Sequence, residues 1–175
     1  MSFKDIKVYK SKIIPDVVIF EPSVFWDVRG NIYSSFIKEM YSRFLPEGLE
    51  FIHDKFAESG NNVLRGLHGD FKTWKLISCV WGELFEVVVD MREDSSSYKK
   101  WDYFILSSKE YKQILIPPGF VNGYYVISGS AVFHYKLAYY GAYLDAGDQI
   151  TVKWNNSELD IKWPCDAPVL QERDK

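Results

Sequence analysis

The feature that most constrains the fold of this chain is a succession of short apolar runs, each ended by Gly, Asn, Ser or Pro. Runs such as VVIFEP, WDYFILS, KQILIPP and NGYYVIS follow one another along most of the sequence, at the spacing of roughly 8–12 residues that is typical of all-β domains. Residues 35–44 instead place Phe36, Met40 and Phe44 at helical spacing. The pattern predicts a mainly β fold, a sandwich or barrel with the jelly roll favoured, and one or two short helices.

Composition limits the number of domains and the kinds of partner. The chain has 175 residues, of which 47% are hydrophobic and 17% aromatic, so we expect one ordered domain over residues 1–175. A net charge of −3 offers no basic excess for nucleic acid or an anionic membrane, so an anionic ligand needs a local basic cluster. No membrane span or signal peptide is recognisable, and two cysteines are too few for a disulfide framework. A cytoplasmic protein is therefore expected.

The segment LRGLHG, residues 64–69, places two polar side chains in a stretch that otherwise has the pattern of a strand. Arg65 and His68 are three residues apart, so a regular strand would send them to opposite faces of its sheet. A bulge at Gly66 would turn both side chains into one cavity and would let a ligand approach the backbone. The alternative is a surface hairpin in which both side chains are solvated.

Two other segments carry candidate functional side chains. Lys72 and Lys75 stand beside aromatic residues in FKTWKLISC, where a lysine at the edge of an apolar pocket can hold a phosphate or stabilise an enolate. Either lysine, taken alone, is more often a surface charge. In AVFHYKL, Phe133, Tyr135 and Leu137 share the face that suits an interior. Tyr135 is then either a packed core residue or a buried phenol that needs a polar partner.

Several segments in order resemble the dTDP-4-dehydrorhamnose 3,5-epimerases, which are cupin jelly rolls of bacterial sugar-nucleotide pathways. The resemblance runs from about residue 18 to residue 174, and its anchors are DVRGNIYSSF, VLRGLHG, KLISCVWGELFEVVVDMR, SSSYKKWDYFILS, ILIPPGFVNGYYVIS and WP…APVLQERD. It implies a homodimeric cupin jelly-roll barrel. It also implies cofactor-independent epimerisation, at C3, C5 or both, of a nucleoside-diphosphate 4-keto sugar through an enolate.

The resemblance also implies catalytic roles for four residues. His68 of the RGLH motif corresponds to the general base, and Asp174 in QERD corresponds to the aspartate that orients this base. Lys75 corresponds to the lysine that stabilises the enolate, and Tyr135 to the acid that returns a proton. These residue types suit the chemistry, because histidine titrates near neutral pH and a preorganised charge stabilises a developing oxyanion.

Other positions are expected to bind the substrate and to set its identity. Arg65 and Arg29 resemble the diphosphate-binding arginines of the family. Asn122 replaces a family histidine, Ser34 replaces a glutamate, and residues 53–55 replace a Gln-x-Asn strand. We expect these changes to alter the base and the sugar, with a GDP-linked 4-keto-heptose of capsule pathways as the leading candidate. The predicted substrate-binding residues are Arg29, Ser34, His53, Lys55, Arg65, Lys72 and Asn122.

Two other functions compete with epimerisation, and no metal is expected in any of them. One is a 3,4-ketoisomerase on the same scaffold, and the other is a non-catalytic jelly roll that only binds sugar nucleotides. Metal-binding cupins place a ligating histidine where Asn122 stands, and this chain has only three histidines, His53, His68 and His134. Exchange of substrate protons with deuterated solvent distinguishes an enzyme that forms an enolate from a simple binder.

Overall fold

The computed structural model describes residues 5–175, and its architecture is two antiparallel sheets packed face to face. The six-stranded sheet has the order β1-β2-β10-β7-β12-β5, the five-stranded sheet has the order β13-β6-β11-β8-β9, and β3 and β4 form a separate hairpin. The elements are β1 (Ile6–Lys10), β2 (Val18–Pro22), β3 (Val24–Asp27), β4 (Gly30–Tyr33), α1 (Lys38–Tyr41), β5 (Phe51–Gly60), β6 (Leu64–Gly69), β7 (Trp74–Trp81), β8 (Glu83–Asp90), β9 (Trp101–Ser107), β10 (Gln113–Ile116), β11 (Phe120–Val126), β12 (Ser130–Ala138) and β13 (Ile150–Thr151). The predicted cupin jelly roll is confirmed.

The main core lies between the two sheets and follows from the two-residue alternation of the strands. Ile77 of β7 and Phe133 of β12 face inward from the six-stranded sheet, and Val88 and Tyr124 face them from the five-stranded sheet. The rings of Tyr124 and Phe133 are 4.5 Å apart between centroids, which joins the sheets at the centre of the core. Burial of such side chains supplies most of the free energy of folding, at about 25 cal/mol per Å² of apolar surface.

Each sheet also buries part of its outer face. The segment around α1 covers the six-stranded sheet, where Tyr41 packs against Phe20 with ring centroids 4.7 Å apart. The C-terminal segment covers the five-stranded sheet, where Leu159 and Trp163 join a cluster with Phe85. None of the helices within residues 5–175 is long and apolar enough to cross a membrane.

The observed elements differ from the predicted ones at three places. The predicted helix over residues 35–44 is shorter, since α1 (Lys38–Tyr41) is followed by a 3₁₀ turn at Ser42–Phe44. The segment QITVKW forms only the two-residue strand β13. The edge strand β1 was not predicted, because four of its five residues are exposed and its pattern is mostly polar.

A bulge in β6 directs two polar side chains toward the interior, as the LRGLHG segment predicts. Arg65 lies opposite Tyr124 and His68 lies opposite Asn122 on β11, so two residues of β6 share the space opposite Gly123. Gly66 has φ of +130°, and a Cβ atom there would lie 2.5 Å from the Cα of Gly123. Only glycine accepts both this backbone conformation and this close approach.

Replacing Gly66 by alanine is therefore expected to destabilise the protein by about 2–4 kcal/mol, since it combines an unfavourable φ with overpacking against the backbone. The free energy of unfolding, measured by urea denaturation, tests this. Gly129→Ala is the matched control, because a Cβ at Gly129 would have no atom within 4 Å. Equal stability of the two variants would contradict the account of the bulge.

Candidate active site

A cavity of about 430 Å³ opens between the two sheets and collects most of the predicted catalytic and binding side chains. β6 contributes Arg65 and His68, β7 contributes Lys75, and two further strands contribute Asn122 and Tyr135. The other polar side chains of the lining are Lys55, Asp70, Thr73, Tyr124, Tyr143, Asp145, Gln149, Gln171 and Arg173. The cavity is thus a polar site built on rigid strands and completed by the C-terminal segment.

His68 is paired with Asp174 at the wall of this cavity. His68 Nε2 lies 2.6 Å from Asp174 Oδ1, and the Asp174 side chain is completely buried whereas that of His68 is 19% exposed. The backbone N–H of Gly66 points to the other carboxylate oxygen at 3.5 Å. Because a carboxylate only accepts hydrogen bonds, Nε2 carries the hydrogen and Nδ1 keeps a lone pair that can accept a proton.

Lys75 is buried and held by two hydrogen bonds. Its Nζ donates to Asn122 Oδ1 over 2.8 Å and to the carbonyl oxygen of His68 over 3.0 Å. Burial lowers the pKa of Lys75 to about 8, although the negative charges of Asp70 and Glu86 act in the opposite direction. The ammonium form therefore predominates at neutral pH, next to the backbone of the residue that would act as base.

Tyr135 extends the inward face of β12 into the cavity, as its position in AVFHYKL predicts. Its ring packs edge-on against Phe133, with centroids 4.4 Å apart. Burial raises the pKa of Tyr135 well above the ordinary value of 10.0, and Tyr124 and Glu86 raise it further. The phenol therefore stays protonated throughout the neutral range and is available as a proton donor.

The cavity also holds the local basic cluster that an anionic ligand of this acidic protein needs. Arg65 is fixed by hydrogen bonds from Nε to Ser59 Oγ (2.9 Å) and from Nη2 to the carbonyl oxygen of Glu58 (3.3 Å). Lys55 and Arg173 line the same cavity. A diphosphate can pair with such a cluster, and a fixed guanidinium matches the geometry of phosphate oxygens.

Four predicted substrate-binding residues do not line the cavity within the described chain, residues 5–175. Arg29 is exposed at the turn of the β3–β4 hairpin, where it pairs with Asp27. Ser34 follows the same hairpin. His53 lies 3.2 Å from the hydroxyl of Tyr139, and Lys72 Nζ donates to the carbonyl oxygen of Ala142 over 2.6 Å.

Two residues that bear on the site were not predicted from the sequence. Glu86 is completely buried, and its Oε1 accepts a 2.8 Å hydrogen bond from Asn122 Nδ2. The sequence pattern that could have identified Glu86 is its position two residues from both Leu84 and Val88 of β8, which places a charged residue on the same face of the strand as these two apolar residues. Arg173 is adjacent to Asp174, and its Nε donates to Thr151 Oγ1 over 3.0 Å. No sequence pattern distinguishes Arg173 from a surface arginine.

A second histidine–aspartate pair lies outside the cavity. His134 Nε2 is 2.7 Å from Asp54 Oδ1, and Lys136 Nζ is 2.8 Å from the other oxygen of the same carboxylate. His134 and Lys136 alternate with the inward residues of β12, so they face away from the core. A histidine–aspartate contact alone therefore does not identify the candidate active site. The His68–Asp174 pair is distinguished by its position at the wall of the cavity.

The chain is similar to known proteins over most of its length. The family model described as dTDP-4-dehydrorhamnose 3,5-epimerase matches residues 11–175. The dTDP-4-dehydrorhamnose 3,5-epimerase of Shigella flexneri is 38% identical to this chain, and the match covers 92% of this chain and 89% of the relative. The dTDP-4-dehydrorhamnose 3,5-epimerase of Escherichia coli K12 is 40% identical, and the match covers 90% of this chain and 85% of the relative. The crystal structure of a Legionella pneumophila 3,5-epimerase in complex with dTDP-4-keto-L-rhamnose has a TM-score of 0.89 at 33% identity, and the match covers 97% of this chain and 90% of that one. The chain therefore belongs to the dTDP-4-dehydrorhamnose 3,5-epimerase family of isomerases.

Proposed function

We propose that this protein epimerises a nucleoside-diphosphate 4-keto sugar at C3, C5 or both, without a cofactor. The observation that carries the proposal is the His68–Asp174 pair, with 2.6 Å between Nε2 and Oδ1, at the wall of a cavity that also contains Lys75 and Tyr135. A base, a cation for an oxyanion and a neutral acid are the groups that this reaction needs. A protein that only binds sugar nucleotides has no need for a buried carboxylate that orients a histidine.

The proposed reaction proceeds by proton removal and return. The 4-keto group acidifies the neighbouring C–H bonds, and His68 Nδ1 takes one proton while the electron pair of that bond moves onto the keto oxygen. Lys75 stabilises the resulting enolate through the N–H that neither Asn122 nor His68 engages. Tyr135 then delivers its hydroxyl proton to the opposite face of the same carbon, and solvent restores both side chains. Each inverted centre therefore acquires one solvent proton.

The relatives favour a dTDP-linked 4-keto-6-deoxyhexose as the substrate, because those reported above carry dTDP and rhamnose in their names. The GDP-linked 4-keto-heptose remains a second candidate on account of one specific observation. Lys55 and Asn122, two positions at which the chain departs from the family pattern, both line the cavity. These two side chains are therefore placed where they can change which sugar nucleotide is accepted.

Incubation with each 4-keto sugar nucleotide in D₂O tests the proposed function. We expect deuterium at C3, C5 or both, observed by proton NMR and mass spectrometry, and a product whose keto group remains at C4. A product with the keto group at C3 would instead indicate a 3,4-ketoisomerase. Absence of exchange with both the dTDP-linked and the GDP-linked substrate would overturn the proposal and leave a binding protein.

His68→Asn is expected to slow deuterium exchange by about 10²–10⁴-fold, the usual effect of losing a general base. The matched control is His134→Asn, which removes the histidine of the second pair, outside the cavity. The exchange rate of each purified variant in D₂O is the measurement, with circular dichroism to verify folding. Near-normal exchange in His68→Asn, or an equal loss in the control, would refute the role of His68.

Tyr135→Phe is expected to keep exchange and to lose inversion. The substitution removes one hydroxyl but keeps the ring that packs against Phe133, while His68 still removes and returns the proton on one face. Deuterium incorporation and the configuration of the product are measured in the same NMR sample. Tyr125→Phe, which loses a hydroxyl bonded to Asn62, is the control. If exchange and inversion fall together in Tyr135→Phe, another group supplies the second proton.

We further propose a homodimer that uses the β3–β4 hairpin. Val28 is fully exposed, and Trp26 and Ile32 are 67% and 62% exposed, which is an unusual apolar surface for a monomer. The same hairpin carries Arg29, which is predicted to bind the diphosphate but does not line the cavity of its own chain. In a dimer, Arg29 of one copy could reach the cavity of the other.

Light scattering is expected to give about twice the chain mass of 20.4 kDa, and Val28→Asp is expected to shift the protein toward the monomer. A buried carboxylate at an apolar interface is costly. Val169→Asp is the control, since Val169 is also exposed but lies on the C-terminal segment. A monomer at micromolar concentration in the unmodified protein would overturn this part of the proposal.

A further inference from the structure

A line of three buried polar side chains crosses from one sheet to the other behind the cavity. Lys75 projects from β7 of the six-stranded sheet, and Asn122 and Glu86 project from β11 and β8 of the five-stranded sheet. Their exposures are 8%, 6% and 0%, so all three are withdrawn from solvent. Asn122 bridges the other two, with 2.8 Å to each. We call this set the Lys75–Asn122–Glu86 bridge.

The hydrogen bonds of the bridge have only one possible direction. The Lys75 ammonium is a donor without acceptor capacity, so the amide of Asn122 must turn its Oδ1 toward Lys75 and its Nδ2 toward Glu86. Glu86 accepts that N–H at Oε1. The acceptor on Glu86 thereby fixes the amide orientation, and the amide fixes the position of the ammonium. Two of the three N–H groups of Lys75 are engaged, which leaves the third for a ligand in the cavity.

The charges around Lys75 give Glu86 a second effect. Asp70 and Glu86 favour the ammonium form, whereas Lys55 and Arg173 oppose it. Among these four groups, the two acidic ones oppose the effect of burial, which lowers the pKa of Lys75 to about 8. Glu86 Oε2 is buried without a hydrogen-bond partner in the described part of the chain, and the same carboxyl group also acts on Tyr135, whose pKa it raises. A buried acid is expensive to retain, and here it lies where it counters the two basic groups.

We propose that Asn122 and Glu86 are positioning residues for epimerisation: Asn122 aims the Lys75 ammonium at the reacting oxygen, and Glu86, once it has lost its own proton, favours the positive charge of Lys75. The kinetic consequences rest on the proposed function. The arrangement of the bridge itself can be tested on the resting protein, without substrate.

The direction of the pH effect follows from the two buried groups. Burial lowers the pKa of Lys75 and raises the pKa of Glu86, so the two shifts bring the titrations of these groups closer together. As pH rises, a proton lost from Glu86 leaves a carboxylate that retains the proton on Lys75. Without the Glu86 carboxyl group, Lys75 loses that support and deprotonates at a lower pH.

Glu86→Gln tests the charge effect while keeping an oxygen that can accept the hydrogen bond from Asn122. The Lys75 side-chain resonance, followed by carbon-13 NMR during a pH titration, is expected to show a midpoint lowered by about one pH unit, a tenfold change in proton affinity. Glu83→Gln is the matched control, because Glu83 lies on the same strand but outside the cavity lining. An unchanged or raised Lys75 midpoint in Glu86→Gln, or an equal shift in the control, would overturn the proposal.

Asn122→Ala tests the positioning effect by kinetics. We expect kcat of Asn122→Ala to fall about 10²-fold, as for other small displacements of a catalytic group, while KM changes by only a few-fold. For Glu86→Gln, we expect the rate to begin falling with rising pH at a lower pH than in the unmodified protein. Ser78→Ala on the outer face of β7 is the control. An unchanged kcat in folded Asn122→Ala would refute the positioning role. If the unmodified protein exchanges no substrate proton, the proposed function fails, and the NMR titration still decides whether Glu86 controls the charge of Lys75.

Discussion

The close approach of two glycine backbones is the constraint on which the site depends. Gly66 on β6 and Gly123 on β11 leave no room for a Cβ atom between them, and the bulge at this point changes the phase of β6 by one residue. Without that change, Arg65 and His68 would face opposite sides of the sheet. A local feature of the backbone thus brings the guanidinium of Arg65 and the imidazole of His68 into the same cavity.

The cavity illustrates how a chain with a net charge of −3 can be built to receive an anion. Its cations differ in exposure, since Arg65 on β6 is exposed and Lys75 on β7 is buried. An exposed guanidinium can exchange water for phosphate oxygens with little loss of solvation. A buried ammonium has already lost its water, so a charge that develops beside it is stabilised more strongly than in solvent.

Sequence reasoning predicted the strands and the inward-facing residues well, because both follow from two-residue alternation over buried strands. Tyr135, His68 and the bulge at Gly66 are examples, and each carries a local signal. The resemblance to the family supplied Asp174, which has no local signal at all. Glu86 was missed because its role depends on Asn122, which is distant in sequence. Arg29 and Ser34 were expected near the substrate, but Arg29 lies on the β3–β4 hairpin and Ser34 follows it, and neither lines the cavity of this chain.

The contact between His68 and Asp174 joins residues 106 positions apart in the chain. Asp174 is carried by a segment that crosses the outside of the five-stranded sheet and meets the start of β6, where the backbone N–H of Leu64 donates to the carbonyl oxygen of Val169 over 3.1 Å. Closing so long a loop is entropically unfavourable until the intervening strands are in place. His68 is therefore held by Asp174 only when that outer segment has docked on a finished barrel. Local unfolding of the segment would separate the histidine from its aspartate while the strands of the two sheets stay paired.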